Sequence, residues 1–238
     1  MNNLIFNKIS CEQMPDDVSR YYKNNFTERA VSVYESHLSQ NPDDVNNLNL
    51  KYKNHVFFGE KTIYECLEML ALVVDPSDTE LFTTNQLIHS LQVAEMMEKD
   101  GLSNEWIIIG LVHDLGKILL LTNELAENVV GPNIYLSKKN EQPGLDNLIL
   151  SWNHDEYIYM KIGHLFRSEM SNLLRYHSLR YENCLELMSA ENIKWVNDYL
   201  LKFRYYDLTS KSVYYYPKKS LKDYRDLIDA YFPSAVVF

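Results

Sequence analysis

Cysteine is scarce. Cys11, Cys66 and Cys184 are odd in number, far apart and never spaced Cys-x-x-Cys, which argues against a disulfide framework and against a thiolate zinc site. Glycine and proline are scarce too. Seven of each in 238 residues is about half the usual frequency, too little turn chemistry for an all-β sandwich. Basic residues are outnumbered, 23 Lys+Arg against 33 Asp+Glu for a net charge of −10, so a nucleic-acid partner is not expected. Long apolar runs are missing: a stretch such as Trp106–Val112 falls far short of the roughly 20 residues a bilayer span needs, so no membrane partner is expected either. The first residues, Met1 to Lys8, lack the apolar stretch and small-residue cleavage site of a secretory signal. These absences point to a soluble, cytoplasmic protein in a reducing compartment, expected to be a monomer.

What is present is core. Apolar residues make up 46% of the chain, enough for a sizeable interior, and the length suits one domain over residues 1–238 with about 1–20 as a loosely packed N-terminal segment. Helical spacing recurs over Thr62–Val73, Asn85–Met97, Ser103–Leu121, Leu148–Ile162, Glu169–Leu179, Ala190–Phe203 and Leu221–Tyr231. Asn41–Asn49 and Thr122–Gly144 read as loops, and Val213–Tyr216 leaves room for a short strand. The expected class is all-α. The eighteen tyrosines read as core and helix-packing residues, since an acidic chain makes a poor single-strand binder.

Chemistry concentrates first at His113 and Asp114, inside the apolar Ser103–Leu121 segment, with Lys117 one turn on and Gly116 between. Adjacent helical residues lie about 100° apart and can lean toward one pocket. A carboxylate in such a run is costly unless a cation or donors answer it. Gly116 offers room for another element or a ligand to approach. His89, His154, His177 and Asp207 each come from a different helical segment, as a bundle supplies inward ligands. One such histidine means little. Four with two aspartates form a nitrogen and oxygen donor set that suits iron or manganese, and six ligands exceed what one open metal would take, so two metals are implied.

At these motifs the sequence resembles the myo-inositol oxygenase family, a helical branch of the HD-domain superfamily. The resemblance runs from about Arg20 to Pro233 and is carried by His113-Asp-Leu-Gly-Lys117, Gly144-Leu-Asp-Asn147, Ser151-Trp-Asn-His-Asp-Glu-Tyr157, Arg175-Tyr-His-Ser178 and Tyr206-Asp-Leu-Thr-Ser-Lys211. It implies a buried non-haem centre of two irons, one ferrous and one ferric, held by His89, His113, Asp114, His154, His177 and Asp207. Dioxygen is then the co-substrate, and a small polyol, myo-inositol in the family, is opened to glucuronate. It further implies that Lys117 touches the reacting substrate oxygen, making Lys117, His113 and Asp114 the catalytic group. Ser178, Lys211, Asp75, Ser77 and Arg20 match substrate-contacting positions. One departure bears on substrate: Pro132 stands where the family carries an aspartate that grips inositol hydroxyls, and the following loop to Gly144 is shortened. Losing such an acceptor removes roughly 1.5–3 kcal/mol of binding, which leaves room for a different hydroxylated substrate. The competing expectations are a metal-dependent phosphohydrolase of the HD superfamily, with metal-activated water and no need for oxygen, and a binding protein that has lost turnover.

Overall fold

The computed structural model describes residues 28–78, 84–212, 214–232 and 234–238. Arg20, Cys11 and Val213 lie outside the described residues. Helix α1 (Glu28–Leu38) is followed by α2 (Pro42–Asn54), so the loop expected over Asn41–Asn49 is a helix start. Asn41 Oδ1 accepts the N–H groups of Asp43 and Asp44 at 2.9 and 3.2 Å, and Asp44 Oδ2 accepts the Asn41 N–H at 3.0 Å. Pro42 occupies the first turn, where its missing N–H costs nothing. Val45, Leu48 and Tyr52 form the buried stripe. The density of Asn and Asp, read as loop composition, serves as cap and solvent face.

Strand β1 (Glu60–Lys61) leads into α3 (Ile63–Leu70), started by a capping box between Thr62 and Glu65. Helices α4 (Gln86–Lys99) and α5 (Asn104–Val112) pack against each other, and every residue from Trp106 to Val112 is buried. The single helix expected over Ser103–Leu121 does not form: α5 ends at Val112, Asp114 takes φ −91°, ψ 5°, and the chain tightens into 3₁₀ turns over Leu115–Leu121. The break lets another element come very close, as a Cβ on Gly116 would sit 2.2 Å from the carbonyl oxygen of His154.

The segment Thr122–Gly144 holds a short helix, α6 (Ala126–Val129), and strand β2 (Tyr135–Lys138). The latter pairs antiparallel with β3 (Leu148–Leu150), Lys138 opposite Leu148, so the expected helix Leu148–Ile162 divides into β3 and α7 (His154–Ile162). Helix α8 (Ser168–Tyr176) follows, then α9 (Ala190–Trp195), which passes through a π-helical turn at Val196–Leu200 into α10 (Leu201–Ser210). Helix α11 (Arg225–Tyr231) precedes β4 (Val236–Val237), which closes back on β1. No strand occupies 214–216. The class is all-α, with two short two-stranded ribbons as trimmings. Among the described residues no helix is long and apolar enough to cross a membrane.

The core runs continuously from Val33 to Phe238. Trp152 stacks on Tyr52 at 4.7 Å between centroids, while its backbone N–H donates to Gln40 Oε1 at 2.8 Å, tying the first two helices to the entry of α7. Beside Tyr52 sits Glu124, whose carboxylate accepts from Lys51 Nζ, Tyr52 OH, Asn128 Nδ2 and the Leu125 N–H. Burial works against its charge, but these donors outweigh it and hold the carboxyl down at about 2. A depressed carboxyl stabilises the fold above its unfolded value, near 4.5, and that contribution fades as pH falls from there through about 2. Glu124→Gln is therefore expected to cost about 1–3 kcal/mol at neutral pH. Calorimetric melting from pH 7 downward should show the gap to the parent closing on acidification, and a gap constant with pH would contradict this.

Candidate metal centre

The four histidines and two aspartates singled out by the sequence meet in the middle of the helices. His89 lies near the start of α4, whose N-terminus is capped by Asn85 Oδ1 accepting the Ile88 N–H. His113 and Asp114 occupy the turn where α5 breaks. His154 opens α7, with Asn153 Oδ1 accepting the Asp155 N–H, and His177 closes α8. Asp207 comes from α10. The histidines and Asp114 are all buried.

Asp114 stands at the centre. Its Oδ2 faces His89 Nε2 at 3.8 Å and His113 Nε2 at 3.4 Å, and its Oδ1 faces His154 Nε2 at 3.1 Å and His177 Nε2 at 3.5 Å. Asp207 Oδ1 joins the first side, 2.9 Å from His89 Nε2 and 3.8 Å from His113 Nε2. Two groups able to hold a metal ion thus share one carboxylate: His89, His113 and Asp114, and Asp114, His154 and His177.

In three of the four rings the nitrogen turned away from the centre is satisfied by the backbone, while His89 Nδ1 is buried without a hydrogen-bond partner. Nδ1 of His113, His154 and His177 meets the carbonyl oxygens of Gly110, Val129 and Leu174 at 2.9, 2.8 and 3.4 Å. A neutral ring that gives its Nδ1 proton to a carbonyl presents Nε2 as a lone pair. Those lone pairs point at carboxylates, and His154 Nε2 lies 3.3 Å from His177 Nε2. His113 Nε2 is buried without any hydrogen-bond partner. Acceptors aimed at acceptors in a dry interior need a cation, and the donor set fits one. Burial disfavours a proton on His177, yet Asp155 and Asp114 outweigh it and push the ring up to about 9, so proton and metal ion compete for that nitrogen.

Asp155 belongs to the cluster although no spacing in the sequence singles it out. It is fully buried, and its Oδ2 accepts from Asn133 Nδ2, the Ser178 N–H and the Ser178 hydroxyl at 2.9, 3.0 and 2.8 Å. Its Oδ1 has no hydrogen-bond partner and lies 3.1 Å from His154 Nε2 and 3.4 Å from His177 Nε2. The donors that fix it come from positions more than twenty residues away, which a linear motif does not carry.

A cavity of about 110 Å³ opens beside the cluster and is lined by Asp114, His154, His177 and Asp207 together with Tyr34, Asp75, Ser77, Asp78, Lys117, Pro132, Ser178 and Lys211. The predicted substrate-side residues are therefore together, Arg20 being outside the described residues. Lys117 Nζ lies 3.0 Å from Asp114 Oδ2, 2.9 Å from Asp75 Oδ2 and 3.1 Å from Gln86 Oε1. Burial opposes its charge, but the carboxylates of Asp114 and Asp75 prevail and hold the ammonium above its ordinary range. Asp75 Oδ1 accepts the Ser77 N–H and hydroxyl at 2.8 and 2.7 Å, a local turn that faces the other oxygen toward Lys117. Lys211 Nζ reaches Asp78 Oδ2 at 3.3 Å, and Ser178 spends its hydroxyl proton on Asp155. Pro132 does line the cavity, and its carbonyl oxygen turns away to meet His37 Nε2 and the Ser151 hydroxyl.

An all-helical protein with buried imidazoles and carboxylates arranged in two groups around a shared aspartate is a protein equipped to hold metal in its interior. Comparison of sequences narrows the class. The profile of the myo-inositol oxygenase family matches residues 27–136 and 132–238. Similar proteins include "Probable inositol oxygenase" of Oryza sativa subsp. japonica, 31% identical over 87% of this chain and 81% of that protein. "Inositol oxygenase 1" of Arabidopsis thaliana is 32% identical over 84% and 76%, and "Inositol oxygenase" of Mus musculus 27% identical over 93% and 90%. The chain belongs to the myo-inositol oxygenase family. That membership speaks for an oxygenase and does not favour the phosphohydrolase alternative.

Proposed function

We propose that the protein is a di-iron oxygenase that uses dioxygen to open the ring of myo-inositol, or of a closely related polyol. The observation that carries this is the meeting of four imidazole Nε2 atoms on the two oxygens of Asp114. His89, His113, Asp114 and Asp207 would hold one iron, and Asp114, His154 and His177 the other. Nitrogen and oxygen donors without thiolate suit iron in this role. When bound, a mixed-valent pair supplies Lewis acidity toward a substrate hydroxyl and a reducing partner for dioxygen. The reaction balances without an external reductant: myo-inositol and dioxygen give glucuronate and water.

The protein's own residues bind, orient and hold charge. Lys117 places an ammonium beside Asp114 at the cavity wall, where positive charge favours a hydroxyl oxygen that is losing its proton. Asp75 and Ser77, with Ser178, Lys211 and Arg20, are the substrate-side residues of this reading. Their acceptors and donors would fix which carbon of the ring faces the centre, an orientation effect large in any two-reactant step. Cys66 and Cys184 are free and buried, with burial pushing their thiols up to about 12 and about 11, in keeping with a reducing, cytoplasmic setting. The reading includes a monomer without nucleic-acid or membrane partners.

Protein expressed with iron under low oxygen should carry about two iron ions per chain, give a mixed-valent electron paramagnetic resonance signal and consume oxygen only when a polyol is added. A panel of cyclitols and sugars that evokes no oxygen uptake from iron-loaded protein would overturn the reading, and oxygen-independent phosphoester hydrolysis would replace it with the hydrolase. Lys117→Gln is expected to lower kcat/KM for oxygen uptake by about 100-fold or more while iron content stays near the parent value. Unchanged kinetics with full iron would remove Lys117 from the catalytic group.

A further inference from the structure

The cavity takes two further side chains from residues that neither the metal-ligand set nor the substrate-side set above uses, Arg180 and Arg204. Both are carried by backbone that also carries centre residues. Arg180 lies three residues beyond His177, and its N–H donates to the Asn133 carbonyl at 2.8 Å. Arg204 lies one turn before Asp207 on α10. Their placement is therefore fixed relative to the cluster.

A guanidinium cannot shed its proton in a protein, so a buried one must be answered by acceptors. Arg180 lacks such an acceptor at its Nε, which is buried without a hydrogen-bond partner, and the residue makes no salt bridge among the described residues. Arg204 has a side chain 14% exposed and is ion-paired with Glu182 Oε1 at 3.6 Å, a separation beyond hydrogen-bond distance that leaves its N–H donors free. Its guanidinium lies 5.8 Å from the centroid of the Tyr181 ring. Burial and the nearby charge of Arg180 lower its affinity for a proton, the signature of two like charges sharing a poorly hydrated space. The other cations of the cavity are already matched, Lys117 by Asp75 and Asp114 and Lys211 by Asp78.

We propose that Arg180 and Arg204 form an oxyanion subsite of this cavity, so that the substrate is a polyol carrying a phosphate monoester or a carboxylate. The inference rests on the oxygenase reading for its substrate role, while the subsite itself does not. A planar guanidinium presents paired N–H donors that match two oxygens of such a group, and two of them neutralise a charge that a bare hydroxyl leaves standing. Held there, the anion anchors one end of the molecule and leaves a hydroxyl-bearing carbon to approach the Asp114 side.

Two measurements on the full chain test this. Inorganic phosphate, titrated calorimetrically into metal-free and iron-loaded protein, should bind both, and Arg180→Gln or Arg204→Gln should weaken it by about tenfold or more. Arg180→Lys and Arg204→Lys, which keep the charge, should recover part of the loss, and melting temperatures report whether each variant folds. Oxygen uptake by iron-loaded protein should then favour a myo-inositol monophosphate or quinate, a hydroxylated cyclohexane carboxylate, over myo-inositol by about tenfold or more in kcat/KM, and the better of the two names the anion. Each Gln variant should shrink that preference. Phosphate that fails to bind folded parent protein, or binds with an affinity neither Gln variant changes, overturns the subsite. So does a neutral polyol used as well as both charged ones. Should no polyol support oxygen uptake, the oxygenase reading falls, and arginine-dependent phosphate binding to metal-free protein still upholds the subsite.

Discussion

Asp114→Asn is expected to load no more than half the iron of the parent and to lose polyol-dependent oxygen uptake. The reason is geometric. Asp114 alone faces all four imidazoles, one oxygen toward His89 and His113 and the other toward His154 and His177. An amide of the same shape keeps one oxygen and turns a donor toward whichever side it abandons. It also halves the charge opposite Lys117, which retains Asp75. Breaking a buried pair of this kind costs about 3–5 kcal/mol, so circular dichroism must first show that the variant folds. Metal counting then decides: iron at the full parental stoichiometry in folded Asp114→Asn would end the idea that this carboxylate is shared. Asp207→Asn touches one side only, and iron retained at the His154 and His177 side would separate the two groups.

Gly116→Ala should be the most damaging glycine-to-alanine substitution among the described residues. The added methyl would sit 2.2 Å from the His154 carbonyl oxygen and 3.0 Å from its Cα, and backbone cannot swing aside as a flexible side chain can. Overpacking of this kind costs typically about 1–3 kcal/mol, here at or above the top of that span. For a protein of this size that is a fall of about 2–4 °C in melting temperature per kcal/mol. Relief requires the start of α7 to move, which carries His154 and Asp155 away from Asp114. Iron affinity should therefore drop by about 10–100-fold, the scale seen when the support of a metal ligand is disturbed. Calorimetric melting and competition with a chelator would measure the two effects, and parental values for both would show that the contact relaxes without consequence.

Much of this architecture is legible in the chain itself, and the exceptions have physical causes. Helix α4 is announced by its cap Asn85 and by the spacing of Leu91 and Met97, and α3 by Thr62 with Glu65. The break after Val112 is not announced, because a segment apolar on every side carries no periodicity from which an end could be read. Helix α2 hides behind its own solvent face, where Asn and Asp imitate a loop. Within the proposed ligand set, His113 and Asp114 stand out as ionisable groups in an apolar run, whereas His89, His154, His177 and Asp207 gain weight as a set and through the resemblance of their flanking motifs to the family. Asp155, Arg180 and Arg204 do not, since each gains meaning from neighbours distant in sequence: Asn133 and Ser178 around Asp155, and the shared cavity around the two arginines. Gly116 is an intermediate case. Its small size signals a close approach, but only the fold identifies His154 as the visitor.

Three of the four central imidazoles are oriented by main-chain oxygens, those of Gly110, Val129 and Leu174. Such partners are written into the path of the chain, and no exchange of one side chain for another deletes them. The tautomer of each ring is thus insulated from ordinary mutational drift. Across descendants of this gene, the basicity of the imidazoles should hold steady while the freely exchangeable carboxylates and guanidiniums around them absorb the variation that retunes which molecule is received.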